Sequence, residues 1–361
     1  MTQREQLLNL FSGNPTDRMA WTTLVDDNTL NALPDDMRGI TGHDFYRYLG
    51  CSIFSLAGWG TPWGFNSPQL VMPGVETIKS LDQQGNHITQ TICNEGVLIE
   101  RISPQWHPLE YPVKDANDVR LLIHRWENAY FQEADDTHAY SKLTVDIGED
   151  GLATQFLGPS TIPWLLENII GVENFYYLMA DEPDMMHALI TLMQEKELTR
   201  FKIAAKHPCQ IATLAENTST AYISPYIYER YNMPSQYAFV DAMHKEGKTA
   251  ILHMCGHVNN LLSVIKETKT DGIHALTPPP LGDCPWEKAL DIIGEDLIII
   301  GCLPPHYWVL PDPQDVGHAL DNIITPRLRS SRFLLAPFAD GIAIPLKQFQ
   351  AVAEWVDSQT Q

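Results

Sequence analysis

The chain has 361 residues, 44% hydrophobic and 19% charged, which is ordinary for a soluble globular protein and long enough to bury one large core. Its 24 basic and 45 acidic residues leave a net charge of −21, which argues against a nucleic acid or an anionic membrane held by charge. No apolar run reaches the roughly 18 residues that span a bilayer. The 6 cysteines do not read as a disulfide framework in a chain this long, so a reducing, cytoplasmic setting is expected.

In chain order, residues 1–12 read as a charged amphipathic helix rather than a signal peptide. Pro15, Asp17 and Arg18 then break the chain before a strand near Met19–Leu24, and a second strand is expected near Ser52–Ala57. Residues 66–113 alternate with period 2. They carry turn signals at Gln83-Gln84-Gly85-Asn86 and Asn94-Glu95-Gly96, so they read as antiparallel hairpins inserted early in the fold.

From Leu143 onward, short apolar runs alternate with helical segments. Strands are expected at Leu143–Ile147, Gln210–Leu214, Thr249–Leu252, Gly272–Leu276, Leu297–Gly301 and Phe333–Ala336. Helices are expected at Pro183–Lys206, Tyr226–Glu246 and Pro313–Ile324. Such alternation means parallel pairing with right-handed crossovers. About eight strands in this pattern favour an α/β (β/α)8 TIM barrel over an open doubly wound sheet. One domain over 1–361, with a hairpin insertion at about 66–113, accounts for the chain. No glycine-rich nucleotide fingerprint follows any strand.

Barrel chemistry sits at the C-terminal strand ends. Those ends supply Asp146 and Glu149, Glu216-Asn217, His253 and Cys255, Thr277, Cys302, and Asp340. Any one of the carboxylates alone reads as readily as a helix cap or turn residue. Together they make an acidic, metal-competent rim.

Two strands end in soft donors. His253-Met254-Cys255-Gly256 closes the run beginning at Thr249, and Gly301-Cys302 closes the run beginning at Leu297. Residues i and i+2 of an extended segment point the same way. Two thiolates and an imidazole suit Zn²⁺, and three protein ligands leave a position open for chemistry. Packing of buried cysteines is the competing reading.

Several motifs carry a family resemblance. They are Thr213 to Asn217 followed by Ile223-Ser224-Pro225, Ile251-Leu252-His253-Met254-Cys255-Gly256, Gly301-Cys302-Leu303-Pro304-Pro305, Leu335-Ala336-Pro337 and the opening Gly13-Asn14-Pro15-Thr16-Asp17-Arg18. With these the chain resembles the uroporphyrinogen decarboxylase superfamily, and within it the corrinoid (cobalamin)-dependent zinc methyltransferases. The resemblance covers most of the chain and is strongest over about 210–345. True decarboxylases carry an arginine-rich N-terminal segment for tetrapyrrole carboxylates. Here Trp21-Thr22-Thr23-Leu24-Val25-Asp26-Asp27 has no arginine.

The resemblance implies a Zn²⁺ held by His253, Cys255 and Cys302. Glu216 is then the expected fourth ligand or a ligand-orienting group, and Asp340 a further candidate for either role. The enzymes that methylate coenzyme M place their third cysteine after the last strand, whereas this chain reads Ala336-Pro337-Phe338-Ala339-Asp340. That departure points to the methyltransferase I type of O-demethylase systems. These move a methyl group from a methoxylated, aromatic substrate to the Co(I) corrinoid of a separate corrinoid-binding protein. The corrinoid-binding pattern D-x-H-x-x-G is absent here, in keeping with a cofactor carried by that partner.

The alternatives are a methylcorrinoid:thiol methyltransferase, a tetrapyrrole decarboxylase and a non-catalytic docking subunit with a structural zinc. A structural zinc usually has four Cys or His ligands, and only three stand out. Cys284 reads first as a bystander and is the remaining alternative for the fourth ligand, and His257 and His274 read as helix or core residues. Tyr222, Trp286, Tyr307 and Trp308 are the aromatics that could line a substrate pocket. The sequence leaves the oligomeric state open, a homodimer included.

Overall fold

The computed structural model describes residues 1–55, 65–339 and 341–359. Parallel strands form its centre. They are β1 (Leu24–Val25), β2 (Ile53–Ser55), β3 in two pieces (Gly151–Ala153 and Gln155–Leu157), β4 (Ile211–Ala215), β5 (Thr249–His253), β6 (Gly272–Leu276), β7 (Ile298–Leu303) and β8 (Phe333–Ala339). Seven of these form one curled sheet in the order β1-β8-β7-β6-β5-β4-β3. The first piece of β3 pairs with β2, and the second piece pairs with β4. Backbone and hydroxyl bonds carry the ring on to β1: Ser52 N–H donates to Trp21 O at 2.9 Å and the Thr22 hydroxyl donates to Ser52 O at 2.8 Å. The result is the (β/α)8 TIM-barrel architecture.

The strands sort their side chains by parity. Ile251, Ile298, Ile300, Leu334 and Ala336 belong to one buried cluster, together with Leu7, Leu10 and Phe11 of the N-terminal helix Gln3–Ser12. This is the barrel interior. The alternate residues, such as Leu252, Ile299 and Leu335, join a larger cluster with the helices. The helix Pro183–Lys206 starts with its proline in the first turn, where a missing N–H costs nothing. It buries Met186, Leu189, Ile190, Met193 and Phe201, one stripe at helical spacing, and packs on the helix Met233–Lys245. Among the described residues no helix is long and apolar enough to cross a membrane.

The early insertion is antiparallel. Glu76–Leu81, His87–Cys93, Gly96–Ile102 and Pro108–Glu110 form a sheet in sequence order. Asp82 shapes its first turn by accepting bonds from Gln84 N–H and Asn86 N–H.

One expected strand is a helix. Leu143–Ile147 is the last turn of the helix Thr137–Ile147. Leu143 and Ile147, four residues apart, are buried, while Val145 between them is 79% exposed. A strand would have put all three on one face; a helix need not. Asp146 therefore leaves the barrel mouth and pairs with His43 and Arg47, and Glu149 accepts from the Thr2 hydroxyl. The true third strand follows at once, and the first strand is displaced from Met19–Leu24 to Leu24–Val25 with a single bridge at Trp21.

Candidate active site

Strand parity brings His253 and Cys302 to the barrel interior. His253 follows Ile251 by two residues on β5, and Cys302 follows Ile300 by two on β7. His253 is the last residue of β5, and Cys302 stands one step from the end of β7. Cys255 lies just past β5 and is exposed at the mouth. Gly256 makes that turn possible. A Cβ there would lie 2.4 Å from Ser219 Cβ and 2.5 Å from Thr218 O, so the loops after β4 and β5 can close on each other only over a glycine.

His253 does not stand alone. Its Nδ1 lies 2.6 Å from Nδ1 of His274, its register partner on β6. Phe156 meets the His253 ring edge-on at 6.0 Å. Burial pushes His253 down to about 4 and His274 well below its ordinary value, and a contact this short between two ring nitrogens needs one proton between them. A neutral ring carries one N–H. One ring must therefore donate from Nδ1 and the other accept there.

Cys302 is buried, and burial pushes its thiol up to about 12. A hydrogen bond with the Thr277 hydroxyl opposes that shift, and the nearby Cys255 adds to it. Cys255 Sγ contacts Asn217 Oδ1 at 3.6 Å. Asn217 sits in the left-handed region at φ 41°, and its amide donates to Glu167 at 3.1 Å. Burial raises the pKa of Glu167, and the bond from Asn217 works against that rise. The Tyr222 hydroxyl donates to Asn217 O, and its own pKa is raised, first by burial and then by Glu167.

Glu167 was missed from sequence. The signal that could have found it is a carboxylate among apolar neighbours in the short helical segment that follows the third strand, Trp164-Leu165-Leu166-Glu167. The misplaced third strand hid that position. The segment Leu165–Ile169 is a π-turn, a widening that is frequent at functional sites.

Glu216 follows Ala215 on the outer parity and is turned away from Cys255. Its carboxylate accepts from Gln236 at 2.6 Å and from Ser160 N–H at 3.2 Å. Burial lifts it to about 7. Asp340 lies outside the described residues. Cys284 is fully buried beside Pro285. Trp286 donates to Leu276 O and packs on Phe333 behind the barrel wall, and Trp308 is wholly buried against Phe349. Of the aromatics considered, Tyr222 stands beside the cysteine at the mouth.

The donor types suit zinc: two thiols and an imidazole whose outer nitrogen is open when Nδ1 carries the proton. Among the described residues, no three His, Cys, Asp or Glu already stand disposed to hold an ion.

Residues 130–358 match the model of the uroporphyrinogen decarboxylase (URO-D) family. The chain is 31% identical over 115 residues to a methylcobamide:CoM methyltransferase, MtbA, of Methanosarcina acetivorans, a match covering 32% of each chain. It is 28% identical over 137 residues to a methylated-thiol–coenzyme M methyltransferase of Methanosarcina mazei, covering 38% of this chain and 35% of that one. The matches thus span about a third of the length of these curated relatives. A solved structure described as a methyltransferase from Methanosarcina mazei superimposes over 99% of both chains, with a TM-score of 0.60 at 14% identity. That likeness is one of fold. The family match covers well over half of the sequence, and it places the chain: it belongs to the uroporphyrinogen decarboxylase family.

Proposed function

We propose that this chain is a corrinoid-dependent methyltransferase whose barrel mouth holds a Zn²⁺ ion with His253, Cys255 and Cys302. The observation that carries the reading is the placement of an imidazole and two thiols from β5 and β7 at one mouth. The named activities of the sequence relatives support methyl transfer. Zn²⁺, when bound, deprotonates a coordinated thiol and polarises an ether oxygen. The cobalt chemistry belongs to the corrinoid, so no nucleophilic side chain is required of this protein.

The remaining work falls to its own residues. Cys302 must give up a proton that burial and Cys255 now hold in place, and the Thr277 hydroxyl, which donates to Ala275 O, would have to turn from that carbonyl to stabilise the resulting thiolate. Asn217 orients Cys255 and is itself held by Glu167. Phe156 walls the histidine side of the mouth, and Tyr222 stands on the cysteine side.

Two substrate classes fit this centre. A thiol acceptor, methylated by a methylcorrinoid, is favoured by the names of the relatives. A methoxylated aromatic donor, demethylated by a Co(I) corrinoid protein as in O-demethylase systems, is favoured by the missing cysteine after β8. The test is zinc content followed by two assays on the same preparation: methylcobalamin with a panel of thiols, and reduced cobalamin with a panel of methoxylated aromatics. Turnover in one assay assigns the direction. Absence of zinc after chelator-free, reducing purification would overturn the metal reading.

A further inference from the structure

Strand β6 lies between the two strands that bear the candidate ligands. None of the candidate ligands comes from it, yet it touches the donors on both sides. His274 meets His253 of β5 at 2.6 Å, and the Thr277 hydroxyl reaches Cys302 of β7. The strand is deformed where it does so. Ala275 is left-handed at φ 61°, and the register with β7 slips between His274 and Leu276. A left-handed alanine is strained, and such strain persists where surrounding structure holds the residue in place. Here the holding bonds are plain. Met254 N–H donates to His274 O at 2.9 Å, and the Thr277 hydroxyl donates to Ala275 O at 2.8 Å.

We propose that His274 is a positioning residue that sets the tautomer of His253. It accepts the Nδ1–H of His253 at its own Nδ1 and so leaves Nε2 of His253 as the bare, electron-donating nitrogen at the mouth. This rests on His253 being a ligand in the proposed zinc centre. A ligating histidine usually gives its other N–H to a carboxylate, a carbonyl or a water, and loss of that partner costs about 10- to 100-fold in metal affinity. Here a second imidazole takes that role. For it to do so, His274 must carry its own proton on Nε2. The bulge at Ala275 is the local device that brings the two δ nitrogens face to face.

The test begins without metal. Nitrogen-15 NMR of the histidine rings in the full-length, zinc-free protein reads the tautomers directly. Nδ1–H on His253 and Nε2–H on His274 are expected. In His274→Phe, which cannot accept, His253 is expected to shift towards the Nε2–H form common for imidazole in water. In His274→Asn, whose side-chain carbonyl can accept, the Nδ1–H form is expected to return at least in part. Competition with a chelator then gives zinc affinities, with a 10- to 100-fold loss expected in His274→Phe and a smaller one in His274→Asn. Circular dichroism checks that each variant folds.

An Nε2–H signal on His253 in the wild type would overturn the proposal. So would a tautomer that His274→Phe leaves unmoved. A wild type that binds no zinc counts against the metal centre alone, and the tautomer result still decides the role of His274.

Discussion

The carboxylate of Glu216 accepts a hydrogen bond from the Gln236 side chain at 2.6 Å, in the layer between the barrel and its helices. Gln236 in turn accepts from the Tyr228 hydroxyl at 2.5 Å. Glu197 and Arg200 lie within electrostatic reach of the same cluster. Burial lifts Glu216 from an ordinary 4.5 to about 7. A carboxyl raised on folding stabilises the fold while it is protonated. That contribution is complete below about pH 4.5 and is lost as pH climbs through about 7. Glu197, raised by burial as well, acts in the same direction. Urea melts of the wild type are therefore expected to weaken between about pH 5 and 8. Glu216→Gln should flatten that slope, by on the order of 2 kcal/mol. An unchanged slope would show that Glu216 ionises freely in the fold.

The same placement separates Glu216 from zinc. Elemental analysis should find one zinc per chain in the wild type, and little in Cys302→Ser or Cys255→Ser. Glu216→Gln should keep its metal. Loss of zinc in that variant with the fold intact would mean that the carboxylate swings into the mouth on binding.

Gly256 has no room for a side chain. A methyl group would strike Ser219 and Thr218, so Gly256→Ala should part the β4 and β5 loops. A stability loss of about 1–3 kcal/mol is expected, the usual range for overpacking. Zinc affinity should fall with it, because Cys255 rides on the displaced turn. A variant with wild-type stability and zinc content would contradict this.

Asn217→Gly keeps the left-handed backbone that Asn217 adopts at φ 41° and removes the amide between Glu167 and Cys255. Methyl transfer should fall about 10- to 100-fold, as for other groups that orient a ligand, while thermal stability shifts by only a few degrees. Equal rates for variant and wild type would show that Cys255 needs no such support.

Much of the barrel was legible because buried parallel strands are short apolar runs of fixed spacing. Gly272–Leu276 matches its expected span, and four others shift by only a residue or a few at their ends. The misread segment, Leu143–Ile147, shows why the rest was hidden. Five residues with apolar side chains at both ends fit either period, and the exposure of Val145 between buried Leu143 and Ile147 was the deciding fact. The candidate ligands were readable because they end strands. The pairing of His253 with His274 was not, since it depends on register between strands and on a bulge at Ala275 that no local propensity announces. Nor was the orientation of Glu216, which turns on one step of parity past Ala215.

The arrangement of β5, β6 and β7 also bears on the order of events when the protein matures. His253 and Cys255 come from one strand and Cys302 from another two places along the sheet, with β6 between them. These donors have no reason to meet in an extended chain. They meet only after three strand–helix units have docked in register. An ion captured here would arrive late, as a reporter of a finished barrel rather than a seed for it. Chelators added during refolding should leave the folding rate untouched and act only on the loaded product.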